Sequence, residues 1–243
     1  MRSIFKSTLV ALTLLTASVA HAGFEGCPQF FAKGKAPQLG QSLGWQKELC
    51  FDNFAVLHSG QSKTPIFVAE RLNRASLEDA KGEERTDKFY EEARLPGDHR
   101  ARLADYARSG FDRGHMAPAA DMTNPKSMAQ SFSLANMVPQ APENNRKSWA
   151  GIEKATRKYA SRASGDVFVI TGPVYSGDIQ TIGPGQVWIP KYLYKLVYDV
   201  SDGRAWAHWI ENTDEARAGR PISYAELVKR TGIDFFPGQT PKD

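Results

Sequence analysis

Apolar and polar positions change period several times along this chain, and each change marks an element. Pro65-Ile66-Phe67-Val68-Ala69-Glu70 is an almost continuous apolar run and predicts a strand. Val167-Phe168-Val169-Ile170, closed by Thr171-Gly172-Pro173, predicts a second, buried strand. Val187 to Val200 is rich in β-formers, Ser201-Asp202-Gly203 makes a turn, and Ala205 to Ile210 returns, which predicts a hairpin. Tyr192, Tyr194, Tyr198, Trp206 and Trp209 recur along that hairpin and belong to a core or sheet face. Helical spacing governs Glu143 to Ser161, with Pro142 acceptable in the first turn. Within it Asn145, Trp149, Glu153 and Arg157 recur every four residues and share one broad face. That spacing alone describes a solvated stripe as readily as a site. Ser223 with Glu226 forms a capping box, and Gly232 stands where that last helix should end. Gly34 to Gly44 reads as loop, and the doubly charged run Lys81 to Arg94 as a solvated loop.

The first residues change the expected compartment. Arg2 and Lys6 precede the apolar run Ser7 to Val19, and Ala20-His21-Ala22 offers small residues to a signal peptidase. The run is shorter than the ~20 apolar residues that span a bilayer, so residues 1–22 read as a signal peptide. A mature chain would then begin near Gly23 and work in the periplasm or as a secreted protein. Residues 23–243 are enough for one sizeable α/β or α+β domain, or less readily two small ones. Cys27 and Cys50, an even pair in an oxidising compartment, are expected to close the N-terminal segment 23–50 by a disulfide. Formal charge is +4, and +2 without Arg2 and Lys6 (29 basic against 27 acidic residues). So mild a balance does not itself indicate a polyanion ligand; local clusters of Arg and Lys must supply one.

The chemistry concentrates in two blocks. Gly110-Phe111-Asp112-Arg113-Gly114-His115-Met116-Ala117-Pro118 joins a proton acceptor that works near neutral pH to a guanidinium that forks onto phosphate oxygens. Gly114 would let a phosphate or a metal's water come close to the backbone. Alone, this block could equally be an ion-paired turn. The second block runs Asn136-Met137-Val138-Pro139-Gln140-Ala141-Pro142-Glu143-Asn144-Asn145-Arg146-Lys147-Ser148-Trp149, followed by Glu153 and Arg157.

Together these blocks resemble the DNA/RNA non-specific endonucleases, the family of the secreted bacterial sugar-non-specific nucleases and mitochondrial endonuclease G. The resemblance runs from about Pro65 to Pro237 and takes in Thr171-Gly172-Pro173-Val174-Tyr175, Ile189-Pro190 and the strand of Lys195. It implies a ββα-metal fold: a mixed, mostly antiparallel sheet with flanking helices, in which two strands and one helix carry the site. His115 then matches the general base, and Asn145 the direct protein ligand to Mg²⁺, with Mn²⁺ as a substitute. Glu153 matches the acid that holds the waters around the metal. Asn136 and Gln140 match polar residues lining the site. Arg113 and Arg157 match arginines near the scissile phosphate and the leaving side, and Arg85 a third arginine. Asp112 is expected to have a structural or His-supporting role.

The implied activity is phosphodiester hydrolysis of DNA and RNA to 5′-phosphate and 3′-hydroxyl ends, with little sequence preference because phosphate contacts carry no base information. His58 and His99 are read as surface or loop residues, and His208 as part of the hairpin. No His/Cys cluster has the spacing of a zinc site. A catalytically silent nucleic-acid-binding protein is the alternative, and would keep the arginines while losing the base or the metal position. A phosphodiesterase for small substrates would need a deep recognition pocket, for which no motif stands in the sequence.

Overall fold

The computed structural model describes residues 23–40 and 44–243. The signal-peptide reading of residues 1–22 lies outside the described residues. Nine strands matter here: β1 (Gln46–Cys50), β2 (Phe54–Ser59), β3 (Thr64–Leu72), β4 (Asp112–His115), β5 (Met137–Gln140), β6 (Val167–Val174), β7 (Tyr192–Asp199), β8 (Arg204–Glu211) and β9 (Ile222–Ser223). Besides the short helix Leu103–Tyr106, the α-helices used below are α1 (Arg74–Asp79), α2 (Pro125–Ser131), α3 (Ala150–Ala160) and α4 (Tyr224–Thr231). The fold is α+β, as the sequence predicts.

Seven strands form one antiparallel sheet in the order β9-β8-β7-β6-β3-β2-β1. Its central strands are buried on both faces, which explains their nearly unbroken apolar sequences. Alternation splits their side chains. Phe67, Ala69, Ile170, Tyr194 and Leu196 face one side, where they pack with Phe24, Phe31, Phe235 and Leu227 of α4. Val68, Leu193 and Ile210 face the other, packing with Met116, Phe132, Trp149 and Ile152. The second face carries the site.

The terminal elements follow the predicted chemistry except that the capping box is half formed, the Glu226 carboxylate accepting from Arg230 Nε at 2.7 Å. Ser223 caps α4 by accepting a hydrogen bond from the Glu226 amide at 3.1 Å, and Gly232 ends the helix in the left-handed region at φ 68°. A Cys27–Cys50 disulfide, Cα–Cα 5.9 Å, ties the N-terminal segment to β1. Leu57 and the half-buried Cys50 show that β1 and β2 join the first core layer, so this segment is integrated into the sheet.

One expectation needs correction. His58 is neither a surface nor a loop residue: it lies in β2 with no solvent exposure. Its Nε2 meets the His99 carbonyl oxygen at 2.9 Å, and burial holds its pKa down to about 4. His99 is partly exposed and stacks on Trp45 at 4.4 Å. His208 lies in β8, within the predicted hairpin.

Candidate active site

β4 and β5 form a separate two-stranded ribbon, pairing Asp112 with Gln140, Gly114 with Val138 and His115 with Met137. A helix follows directly, so the order is strand, strand, helix. The helix is not uniform. Asn144–Trp149 form a π-helical segment and Ala150–Ala160 continue as α-helix. Four-residue steps overshoot an α-turn but fall short of the wider π-turn. The drift between Asn145 and Trp149 therefore opposes that between Trp149, Glu153 and Arg157, which keeps the series on one face. The sequence spacing predicts the helix but not its π-segment.

His115 is 8% exposed, and its Nε2 is fully buried without a hydrogen-bond partner among the described residues. Two rings enclose it: Phe132 edge-on at 5.0 Å and Phe89 at 5.7 Å. The Arg113 guanidinium lies over Phe89 at 4.2 Å and that of Arg85 over Phe132 at 4.9 Å. Each aromatic thus places one arginine beside the histidine. Burial, with the Arg85 charge adding to it, depresses the His115 pKa to about 3. The ring is accordingly unprotonated at neutral pH. Phe89 escaped the sequence reading because it stands in the charged run, where an isolated aromatic was the available signal.

Asn145 is held from one side. Its Nδ2 donates to Asp112 Oδ2 at 3.0 Å, and Arg146 clamps the same carboxylate through Nε at 2.9 Å and Nη2 at 2.6 Å. With the amide nitrogen committed, Oδ1 remains available as an acceptor. Asp112 therefore supports Asn145, and not His115. Among the described residues nothing donates a hydrogen bond to the Glu153 carboxylate. Burial raises its pKa to about 7, opposed first by Lys195 and reinforced by Asp121. Arg157 Nη1 donates to Asp121 Oδ1 at 3.0 Å. An amide oxygen and a carboxylate make a hard oxygen donor set, which suits a cation such as Mg²⁺ that keeps most of its waters. Among the described residues no cluster of three His, Cys, Asp or Glu side chains could hold a metal ion.

Asn136 and Gln140 sit differently from a pair of lining residues. Asn136 is wholly buried: Nδ2 donates to the Ala117 and Ser131 carbonyls at 2.9 Å, and Oδ1 accepts from the Ala117 amide at 2.9 Å. Its side chain joins the turn after His115 to the end of α2. Gln140 Nε2 donates to Asn144 Oδ1 at 2.8 Å, tying β5 to the π-segment, while its Oε1 is buried without a partner. Gln140 also explains Gly114: a Cβ there would lie 2.6 Å from Gln140 Cβ. The glycine makes room for a side chain, not for a phosphate.

The structure thus brings His115, Arg113 and Arg85 together around an aromatic pair, and Asn145, Glu153 and Arg157 together on one helix face. Trp149, 1% exposed, packs beneath that face with its Nε1 unpartnered.

Comparison with known proteins agrees with this architecture. The family model described as DNA/RNA non-specific endonuclease matches residues 34–242, beginning earlier than the resemblance legible in the motifs. A nuclease of Nostoc sp. is 31% identical over 206 residues, covering 78% of this chain and 73% of that protein. Nuclease C1 of Cunninghamella echinulata is 34% identical over 204 residues, covering 76% and 81%. Human mitochondrial nuclease EXOG is 30% identical over 226 residues, covering 84% of this chain but 61% of its own length. The crystal structure of an EndoG/EndoGI complex superposes with a TM-score of 0.71 at 22% identity, covering 83% of this chain and 90% of that one. The fold is that of the ββα-metal nucleases, and the chain belongs to the DNA/RNA non-specific endonucleases, a family of metal-dependent hydrolases.

Proposed function

We propose that this protein is a secreted or periplasmic, Mg²⁺-dependent endonuclease that hydrolyses DNA and RNA to 5′-phosphate and 3′-hydroxyl ends. The observation that carries the reading is the pairing of two free acceptors. His115 is an unprotonated ring with an unpartnered buried nitrogen. The Asn145 amide is oriented by Asp112 to leave its oxygen free.

His115 takes the proton of the attacking water as the new P–O bond forms and the P–O3′ bond breaks, and the departing 3′ oxygen takes up a proton from solvent water to leave the 3′-hydroxyl. A bound phosphodiester anion beside the ring favours the imidazolium that results, offsetting part of the burial that keeps the histidine neutral. Arg113 and Arg85, arrayed on the Phe89 and Phe132 rings, bind non-bridging phosphate oxygens. Arg157, aligned by Asp121, meets charge on the leaving side. Asn145 Oδ1 would hold Mg²⁺, or Mn²⁺ in its place, directly, and the Glu153 carboxylate would hold it through the waters around the metal. When bound, the cation supplies positive charge against the phosphoryl oxygens where negative charge accumulates. Asn136 and Gln140 act by fixing the turn and the ribbon. Phosphate contacts of this kind read no bases, so DNA and RNA are both substrates.

Supercoiled plasmid and single-stranded RNA, each incubated with the protein in Mg²⁺ or in EDTA, test the reading. It predicts degradation of both in Mg²⁺ and of neither in EDTA. A folded protein that binds DNA but leaves both intact with Mg²⁺ and Mn²⁺ would be the silent binding protein instead.

A further inference from the structure

The sheet face beneath α3 is largely apolar, with Asp199 at its end accepting a hydrogen bond from Tyr159 of α3 at 2.8 Å and a polar island at its centre. In register across three strands, Thr171 of β6 pairs with Lys195 of β7, and Lys195 with His208 of β8. Thr171 also pairs with Val68 of β3, and Glu70 lies two residues along on the same face. Glu70, Thr171 and Lys195 are each no more than 1% exposed. This polar island separates the apolar cluster of Val68, Leu193 and Trp149 from that of Leu72, Val169 and Val197.

A buried lysine is costly unless its donors are met and its charge is opposed. Lys195 Nζ donates to Thr171 Oγ1 at 2.7 Å and reaches the Met116 carbonyl oxygen at 3.4 Å. Its Nζ also lies 5.5 Å from the centre of the Trp149 ring. The same ammonium therefore touches the residue that follows His115 and the residue midway between Asn145 and Glu153. Both Glu70 oxygens are buried without a hydrogen-bond partner among the described residues. Burial, with the Asp121 charge next, drives the Glu70 carboxyl well above the usual range, while Lys195 pulls it down.

We propose that Glu70, Thr171 and Lys195 form a positioning site that locks the turn carrying His115 to the helix carrying Asn145 and Glu153. Lys195 is the joint, Thr171 fixes its ammonium, and Glu70 is the counter-group in the sheet. Asp112–Asn145, Gln140–Asn144 and Arg157–Asp121 join the same segments at the rim, and the Lys195 island adds the polar contact from the sheet beneath them, where hydrophobic residues would otherwise pack. The inference rests on the proposed roles of His115 and Asn145. The misplacement it invokes is small, yet a shift near 1 Å in a reacting group can cost about a hundredfold in rate.

The test compares Lys195→Met, the charge-balanced double variant Glu70→Gln/Lys195→Met, and Thr171→Val, with His115→Ala alongside. Lys195→Met alone leaves Glu70 without its counter-group and is expected to lower the melting temperature. The double variant should recover most of that loss. Even so, its kcat on plasmid DNA in Mg²⁺ should stay about ten- to a hundredfold below that of the unaltered protein, with KM within about threefold. Thr171→Val should show the same split without any change of charge, and Thr171→Ser should restore kcat. A stably folded double variant, or Thr171→Val, with unaltered kcat would overturn the proposal. If His115→Ala is inactive in that case, the catalytic reading stands and only the positioning role fails. If His115→Ala is itself fully active, the catalytic reading fails.

Discussion

Asp112 and Asn145, 33 residues apart in the chain, are joined by a hydrogen bond of 3.0 Å that decides which end of the asparagine amide faces the site. Because the acceptor is a carboxylate, the donor must be the amide nitrogen, and the oxygen is left for a cation. Asp112→Ala is therefore expected to raise the Mg²⁺ concentration needed for half-maximal cleavage and to reduce activity about ten- to a hundredfold. Asp112→Asn keeps an acceptor oxygen and should lose less. A Mg²⁺ titration of plasmid cleavage separates these outcomes, and an unchanged midpoint in Asp112→Ala would remove this orienting role.

Gly114 and Gln140 are locked by volume. A methyl group at Gly114 would press on the Gln140 side chain, which bonds Asn144 and so links the ribbon to the helix. Gly114→Ala should destabilise the protein by about 1–3 kcal/mol and depress activity as well. Shortening the obstruction in Gly114→Ala/Gln140→Ser should recover stability. Thermal unfolding of the pair checks this.

Three buried groups make stability depend on pH in opposite directions. His58 and His115 have pKa values lowered to about 4 and about 3 from the usual 6.5. Folding therefore releases protons from them, and their contribution, complete above 6.5, is lost as pH falls toward those values. Glu153, raised from 4.5 to about 7, favours the protonated folded state. Its contribution is present below 4.5 and is lost as pH rises through 7. In EDTA, melting temperatures of His115→Asn should fall less between pH 6.5 and 4 than those of the parent. Those of Glu153→Gln should fall less between pH 5 and 8. The His115 ring signals in an NMR titration should stay flat from pH 8 to 5, and a midpoint near 6.5 would contradict the burial argument.

The Cys27–Cys50 bridge lies against the sheet face opposite the site. Its loss in Cys27→Ala/Cys50→Ala should lower stability by about 3 kcal/mol in the chain-entropy account. The kcat at a temperature where both proteins are folded should not change. A loss of kcat under those conditions would mean that the N-terminal segment reaches the site.

The predicted strands at Pro65–Glu70 and Val167–Ile170 are found within longer ones, Thr64–Leu72 and Val167–Val174, because long apolar runs admit few alternatives. The motif residues of the site were legible for a different reason: the blocks around His115 and Asn145 to Glu153 resemble those of the family, whereas their spacing alone left a structural reading open. What stayed hidden depends on tertiary placement. Lys195 and Glu70 occur in strand-like sequence, and only the alternation Leu193, Lys195, Val197 hinted that a charge points inward. Asn136 was legible as important but not as a residue spent on backbone carbonyls, since its partners Ala117 and Ser131 meet it only in the folded turn. His58 was misplaced because the polar end His58-Ser59 of Phe54–Ser59 does not reveal that the strand is covered on both faces.

The most direct test of the account is the rate of plasmid cleavage by His115→Ala at saturating Mg²⁺, with circular dichroism to establish that the fold is kept. Removing a general base typically costs about 10²- to 10⁴-fold, and the account predicts a loss in that range with DNA affinity retained. A folded His115→Ala variant that cleaves within a few-fold of the parent rate would contradict it.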